Sequence, residues 1–201
     1  MDIKASGNDY DEMIHPVDEE YYTTQEYLEY QATTPEGKNN QRAVLNYLQK
    51  KRPVGNILDV GARNPLTELI EKQVGHPVDS TTGNLDFTFT APGENYWTII
   101  FSHVIEHLHN PLSCLVGLHK LLHPNGKLVI FTPWCSENFK LRFSNCHYHE
   151  IDERRMGKML SIAGFRLEKT THYKRYGGGF HGIRPIIRLF QQKNVIYEVS
   201  K

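Results

Sequence analysis

A chain of 201 residues is long enough for one domain with a core that folds on its own. Its 23 basic and 23 acidic side chains cancel, so no global field draws it to nucleic acid or anionic lipid, and a partner of either kind would need a local patch. Three cysteines, Cys114, Cys135 and Cys146, lack C-x-x-C spacing, which argues for reduced thiols in a cytoplasmic protein over a disulfide framework or zinc knuckle, and no apolar run approaches the ~20 residues that span a bilayer.

Residues 1–20 are polar, rich in Asp and Glu and without periodicity, and read as a mobile arm. Residues 21–54 hold two expected helices, a short one over Thr24 to Gln31 and a longer one over Lys38 to Arg52. The longer helix places Val44, Tyr47 and Leu48 on one face and Lys50, Lys51 and Arg52 at its negative end, and Pro53 stops it. Over residues 55–201 helix and strand patterns alternate, which predicts an α/β fold with a mostly parallel sheet and helices on both faces.

Strand one is expected over Asn56 to Val60, its carbonyl end opening into a turn at Gly61 and then a helix. That helix has Asn64 as N-cap, Pro65 at its first position, an apolar stripe of Leu66, Leu69, Ile70 and Val74, and Gly75 as terminator. A glycine there lets backbone approach an anionic or nucleoside ligand, with the Asp59 carboxylate beside it; an ordinary strand-to-helix turn is the plainer reading. Short strands near Pro77 to Ser80 and Leu85 to Phe89 lie too close for a helix between them, so the sheet reads as trimmed between strands two and three. Asp79, 18 residues after Gly61, sits close to the ~20-residue interval at which an acid takes ribose hydroxyls, or is a solvated turn aspartate.

Trp97 to Ser102 is a continuous apolar run, as a central strand covered on both faces requires. Asn110-Pro111 starts a helix with a stripe of Leu112, Leu115, Val116 and Leu122, closed by Pro124-Asn125-Gly126, and Lys127 to Phe131 makes the next strand. Asp152 opens a further helix ending at Gly164, followed by an alternating strand from Phe165 and a last strand over Asn194 to Val199.

The segments NILDVG at 56–61, FSHVIEHLHNPL at 101–112 and LLHPNGKLVIFTPW at 121–134 resemble class I S-adenosylmethionine-dependent methyltransferases. A fourth, HYHEIDERRMGKMLSIAGF at 147–165, is similar to the family's late helix ending in Gly-Phe, so the resemblance covers about residues 55–170. It implies a Rossmann-like sheet with an antiparallel final strand, helices in residues 21–54 covering the cofactor mouth, and S-adenosylmethionine at the carbonyl ends of strands one, two and four. It also implies methyl transfer to an acceptor, here a small molecule attacked at oxygen, since a neutral chain makes nucleic acid the less attractive substrate.

Carried onto this chain, the resemblance gives Asp59 the methionine ammonium, Gly61 the backbone contact and Asp79 the ribose. Asp86-Phe87 resembles the adenine-contacting pair, and Ser102-His103 would line the sulfonium and adenine. The family's G-x-G-x-G turn reads Gly61-Ala62-Arg63-Asn64-Pro65, so Arg63 stands in a glycine's place. Its guanidinium would pair with the methionine carboxylate, point to solvent or block the pocket, and a blocked pocket would make the chain an inactive methyltransferase-like binding subunit.

His103, Glu106 and His107 match the inverted zincin pattern in letters, but a zincin needs both histidines on one helix, and here His103 follows a strand. Ubiquinone-pathway O-methyltransferases and small-RNA 2′-O-methyltransferases place Glu-x-x-Glu-His at this loop around a divalent cation. By that resemblance His103, Glu106, His107 and His149 would ligate a metal beside the acceptor hydroxyl, although members without metal also carry Glu-His-Leu here and no metal is the favoured reading. Without metal, His107, His147 or His149 would serve as general base, with His107 and His149 preferred.

Overall fold

The computed structural model describes residues 33–134, 149, 151–174 and 193–201, so the arm over residues 1–20, the short helix expected over Thr24 to Gln31 and the candidate base His147 lie outside the described residues. Helix α1 (Pro35–Lys51) starts on Thr34, whose hydroxyl accepts from the Gly37 N–H, and ends where Arg52 turns left-handed ahead of Pro53. Strand β1 (Ile57–Asp59) leads into α2 (Pro65–Val74). Asn64 accepts from Leu66 N–H at 2.9 Å and Thr67 Oγ1 accepts the Asn64 N–H at 3.2 Å, closing a capping box with Pro65 at the first helical position, as the sequence pattern expects.

After β2 (Asp79–Ser80) the chain makes a hairpin of β3 (Thr82–Asn84) and β4 (Thr88–Thr90), then β5 (Tyr96–Ser102), a 3₁₀ turn (Ile105–His107) and α3 (Pro111–Leu121). Strand β6 (Leu122–Pro133), α4 (Glu153–Ile162), β7 (Arg166–Lys174) and β8 (Lys193–Ser200) complete it. Six strands form one sheet in the order β2-β1-β5-β6-β8-β7, parallel except for β8, which runs antiparallel to both neighbours. This is the Rossmann-like arrangement with an antiparallel final strand, and β2 stands at its edge because a hairpin replaces a crossover helix. Among the described residues no helix is long and apolar enough to cross a membrane.

Period-two alternation assigns each strand's side chains to one of two cores. Leu58, Ile99, Phe101, Leu128 and Ile130 pack with Leu115 and Leu118 of α3 and Met156 and Leu160 of α4. Ile57, Ile100, Val129 and Phe131 face Val44 and Leu48 of α1 and Leu66 and Ile70 of α2. Chain order reverses between β1 and β5, and the carbonyl ends of those strands form the crevice where open α/β sheets receive ligands.

Two element boundaries differ from the sequence pattern. The strand expected over Leu85 to Phe89 is a turn followed by β4, because Asn84 Oδ1 accepts from Asp86 N–H at 2.9 Å and bends the backbone between Asn84 and its partner Thr88. Pro124-Asn125-Gly126 does not close α3 at a distance from the next strand but lies within β6, as a register shift between the Tyr96/Leu122 and Thr98/Lys127 pairs. A β-carbon on Gly126 would stand 2.7 Å from the Tyr96 carbonyl oxygen and 3.0 Å from that of His123. Gly126→Ala should therefore lower stability by about 1–3 kcal/mol, measured as an earlier urea midpoint at unchanged m-value.

Candidate active site

At the end of β1, Gly61 takes φ +119°, outside what L side chains adopt readily, and although the residue is buried a β-carbon built there meets no atom within 4 Å. The Gly61 N–H donates to Thr81 Oγ1 at 2.8 Å and the Thr81 hydroxyl returns to the Gly61 carbonyl at 3.3 Å, so a buried threonine just past β2 fixes the turn from the next strand over. Space is left above the glycine Cα, while its N–H is already engaged.

Asp59 is buried, and Thr67 Oγ1 donates to its Oδ2 at 2.6 Å. Burial raises its carboxyl to about 7, against the lowering effects of the Thr67 hydrogen bond and the Arg63 charge. Arg63 itself turns away along α2. Its guanidinium forms a two-pronged pair with Glu71, Nη1 at 3.1 Å and Nη2 at 2.5 Å, and the same Glu71 carboxylate accepts the Val78 N–H at 3.0 Å. The Arg63 hydrogen bonds, helped by the Val78 amide, hold the Glu71 carboxyl at about 2. Arg63 thus ties the turn to the approach of β2, and the crevice beside Gly61 is not filled by its guanidinium.

The acids expected to read the nucleoside have protein partners. Asp79 accepts from the Tyr96 hydroxyl at 2.6 Å, which also receives the Gly93 N–H at 2.8 Å. Asp86 is buried, accepting from Asn110 N–H at 2.6 Å and facing His109 Nδ1 at 3.2 Å, so it anchors the hairpin to the start of α3. Phe87, at the hairpin turn, is 82% exposed.

A second group of polar side chains gathers at the end of β5, one strand over from Gly61. The register that pairs Asp59 with Ile100 brings Gly61 and Ser102 out at the same sheet edge, where Ser102 is half-buried. The next residue, His103, donates its N–H to the Phe131 carbonyl at 2.8 Å and then takes a left-handed φ of 55°, which swings its ring back over the sheet. Its Nδ1 lies 3.3 Å from Glu106 Oε1 and its Nε2 lies 3.3 Å from Tyr173 Oη. Glu106 is buried and its other oxygen accepts from Thr132 Oγ1 at 3.1 Å. Tyr173 Oη accepts from Asn194 Nδ2 at 3.1 Å, and Asn194 Nδ2 also reaches Asn40 Oδ1 of α1 at 2.9 Å.

A carboxylate can only accept, so Glu106 selects the tautomer with the proton on Nδ1 and leaves the Nε2 lone pair toward Tyr173. That is an imidazole oriented by a buried acid, with an acceptor nitrogen directed at a hydroxyl. His149, on the opposite side of the 3₁₀ turn, donates its N–H to the Glu106 carbonyl at 3.2 Å, and its Nε2 lies 3.2 Å from the His109 carbonyl, which holds its ring against that loop. His107 sits half-buried within the turn, its N–H on the Val104 carbonyl at 2.9 Å. His103, Glu106, His107 and His149 do not converge on one point, and no metal-ligating group of three occurs among the described residues.

Sequence reading reached His103 and Glu106 but missed Thr81, Tyr173 and Asn194. Tyr173, the partner of His103 from β7, lies 70 residues away in the chain, and strand pairing sets it opposite Asn194 of β8, which donates to its hydroxyl. Thr81 carried a weak signal, as the first hydroxyl after the Asp79-Ser80 strand end.

Compared with known proteins, residues 27–170 match the family model described as "Methyltransferase domain". No curated protein matches. Among solved structures the chain is similar to the 1,6-didemethyltoxoflavin-N1-methyltransferase of Burkholderia thailandensis with bound 1,6-didemethyltoxoflavin and S-adenosylhomocysteine, at 14% identity and a TM-score of 0.55, covering 81% of this chain and 79% of that one. It is also similar to a SAM-dependent methyltransferase from Archaeoglobus fulgidus, at 15% identity and a TM-score of 0.53, covering 80% of this chain and 94% of that one. At such identities the likeness is one of fold.

Proposed function

The chain belongs to the methyltransferase-domain family, of the S-adenosylmethionine-dependent class I kind, and on that premise we propose that it methylates an oxygen of a small-molecule acceptor. The observation that carries the reading is the Glu106–His103–Tyr173 alignment at the end of β5, beside the open crevice at Gly61. A methyltransferase of the same fold that holds 1,6-didemethyltoxoflavin together with S-adenosylhomocysteine supports a small-molecule acceptor.

The residues present fit the cofactor. Gly61 leaves room for a ligand against its backbone, Arg63 is drawn off by Glu71, and Asp59 lies at the strand end with a carboxyl that a nearby cation would ionise. Asp59 and Gly61 would hold the methionine and nucleoside portions, with Ser102 and His103 along the sulfonium side. S-adenosylmethionine, when bound, supplies an electrophilic methyl group. The chain's own part is proton management and alignment: His103 Nε2 accepts the acceptor hydroxyl's proton, directly or through Tyr173, while the buried Glu106 carboxylate stabilises the imidazolium. Both contacts of the imidazole are long at 3.3 Å, as expected before a substrate draws them in.

Isothermal calorimetry with S-adenosylmethionine and S-adenosylhomocysteine tests the cofactor half. One ligand per chain, with a rise in melting temperature, is the expected outcome. No heat and no thermal shift at millimolar ligand would remove the reading.

A further inference from the structure

Alongside α1 runs a groove of about 380 Å³ whose other wall is the exposed face of β7. Its floor is apolar, from Ala43, Tyr47 and Ile196, and its walls carry five cations, Arg42, Lys50, Lys51, Lys169 and Lys174, against a single carboxylate, Glu198. That carboxylate is already engaged: Lys51 Nζ pairs with it at 2.7 Å and the Tyr47 hydroxyl donates to it at 3.3 Å. No carboxylate of the described residues lies within ion-pair distance of Arg42, Lys50, Lys169 or Lys174. Four cations converging on one cleft of a chain with zero net charge make a local excess of positive charge among the described residues.

Resting on the methyl-transfer reading, we infer that this groove binds the phosphate groups of the acceptor, which is a phosphorylated, ring-bearing small molecule. Guanidinium and ammonium groups on both walls suit the spread oxygens of a phosphate ester or diphosphate, while Tyr47 and Ile196 offer a surface for a ring. The volume lies in the range of small-ligand pockets, and a cleft built for a polymer backbone would run on past it. Position supplies the link to chemistry. Tyr173 lines the groove, and its hydroxyl meets His103 Nε2, so an acceptor held by its phosphates here has its hydroxyl end directed toward the base.

The test titrates the full chain, without divalent ions, with uridine diphosphate, inorganic pyrophosphate and a single-stranded RNA, in low and raised salt. Uridine diphosphate is expected to bind one per chain, with affinity falling as salt rises. In the Lys50→Ala/Lys169→Ala variant, whose changes lie on exposed side chains of opposite walls, binding should weaken by about tenfold to a hundredfold. S-adenosylmethionine affinity and the circular dichroism spectrum should be those of the parent. Absence of uridine diphosphate and pyrophosphate binding in the parent, or undiminished binding in the variant, overturns the assignment, as does RNA binding that displaces the nucleotide at lower concentration. Failure of S-adenosylmethionine to bind while the nucleotide binds would instead count against the methyl-transfer reading and leave the groove standing.

Discussion

Turnover falls by about a hundredfold to ten-thousandfold in His103→Asn, while S-adenosylmethionine binding stays near that of the parent, if the imidazole at the end of β5 takes the acceptor's proton. Asparagine is the informative replacement because His103 sits at φ 55°, a conformation that asparagine tolerates, so the backbone survives while the basic nitrogen is lost. Glu106→Gln removes the charge that favours the imidazolium. It should slow turnover less than His103→Asn, because the imidazole stays in place while the carboxylate that orients and stabilises it is lost. Tyr173→Phe should reduce kcat with little effect on S-adenosylmethionine affinity. His107→Ala and His149→Ala are the controls: His149 donates toward the His109 carbonyl and His107 is held in the 3₁₀ turn, so both variants should keep most activity. Loss of turnover in either control, with His103→Asn active, would transfer the base role to that residue.

How far this site could be read in advance depended on the range of the interactions that make it. The strand-turn-helix at residues 57–74, the Asn64 cap, the central strand ending at Ser102 and the helix at Asn110-Pro111 are set by local grammar, and all appear where their residues place them. Arg63 was ambiguous because its partner Glu71 lies two turns along α2, and its side-chain direction depends equally on the Val78 amide that Glu71 also binds. Asp79 and Asp86 have the spacing of ligand-binding acids, yet Tyr96 and Asn110 reach them first, contacts that arise only when β5 and the start of α3 pack against the hairpin. For His103 the sequence marks the strand end but not the ring's direction. That follows from the left-handed turn after its bond to Phe131, and from the antiparallel β7/β8 pair that carries Tyr173 and Asn194 to it.

Asp59→Asn should make the protein more stable and bind its cofactor less well, an opposite pair of effects that few structural residues would give. Burial raises the Asp59 carboxyl from 3.8 to about 7, so near neutrality the folded chain holds a carboxyl that resists ionising while the unfolded chain ionises it freely. Between pH 4 and 7 the folded state therefore binds one more proton than the unfolded state. Stability conferred by this group is full below pH 3.8 and is lost as pH rises through about 7, a difference on the order of 4 kcal/mol. Asparagine keeps an oxygen for the Thr67 hydroxyl and carries no charge, so the variant's advantage in urea unfolding should grow from pH 4 to 7 and then level. Cofactor affinity runs the other way. The methionine ammonium favours the ionised carboxyl, so parent affinity should rise about tenfold per pH unit below 7 and flatten above it, whereas Asp59→Asn should bind weakly and without that slope. A variant that is less stable at every pH, with parent-like binding of S-adenosylmethionine, would make Asp59 a scaffold carboxyl and move the ammonium site elsewhere in the crevice.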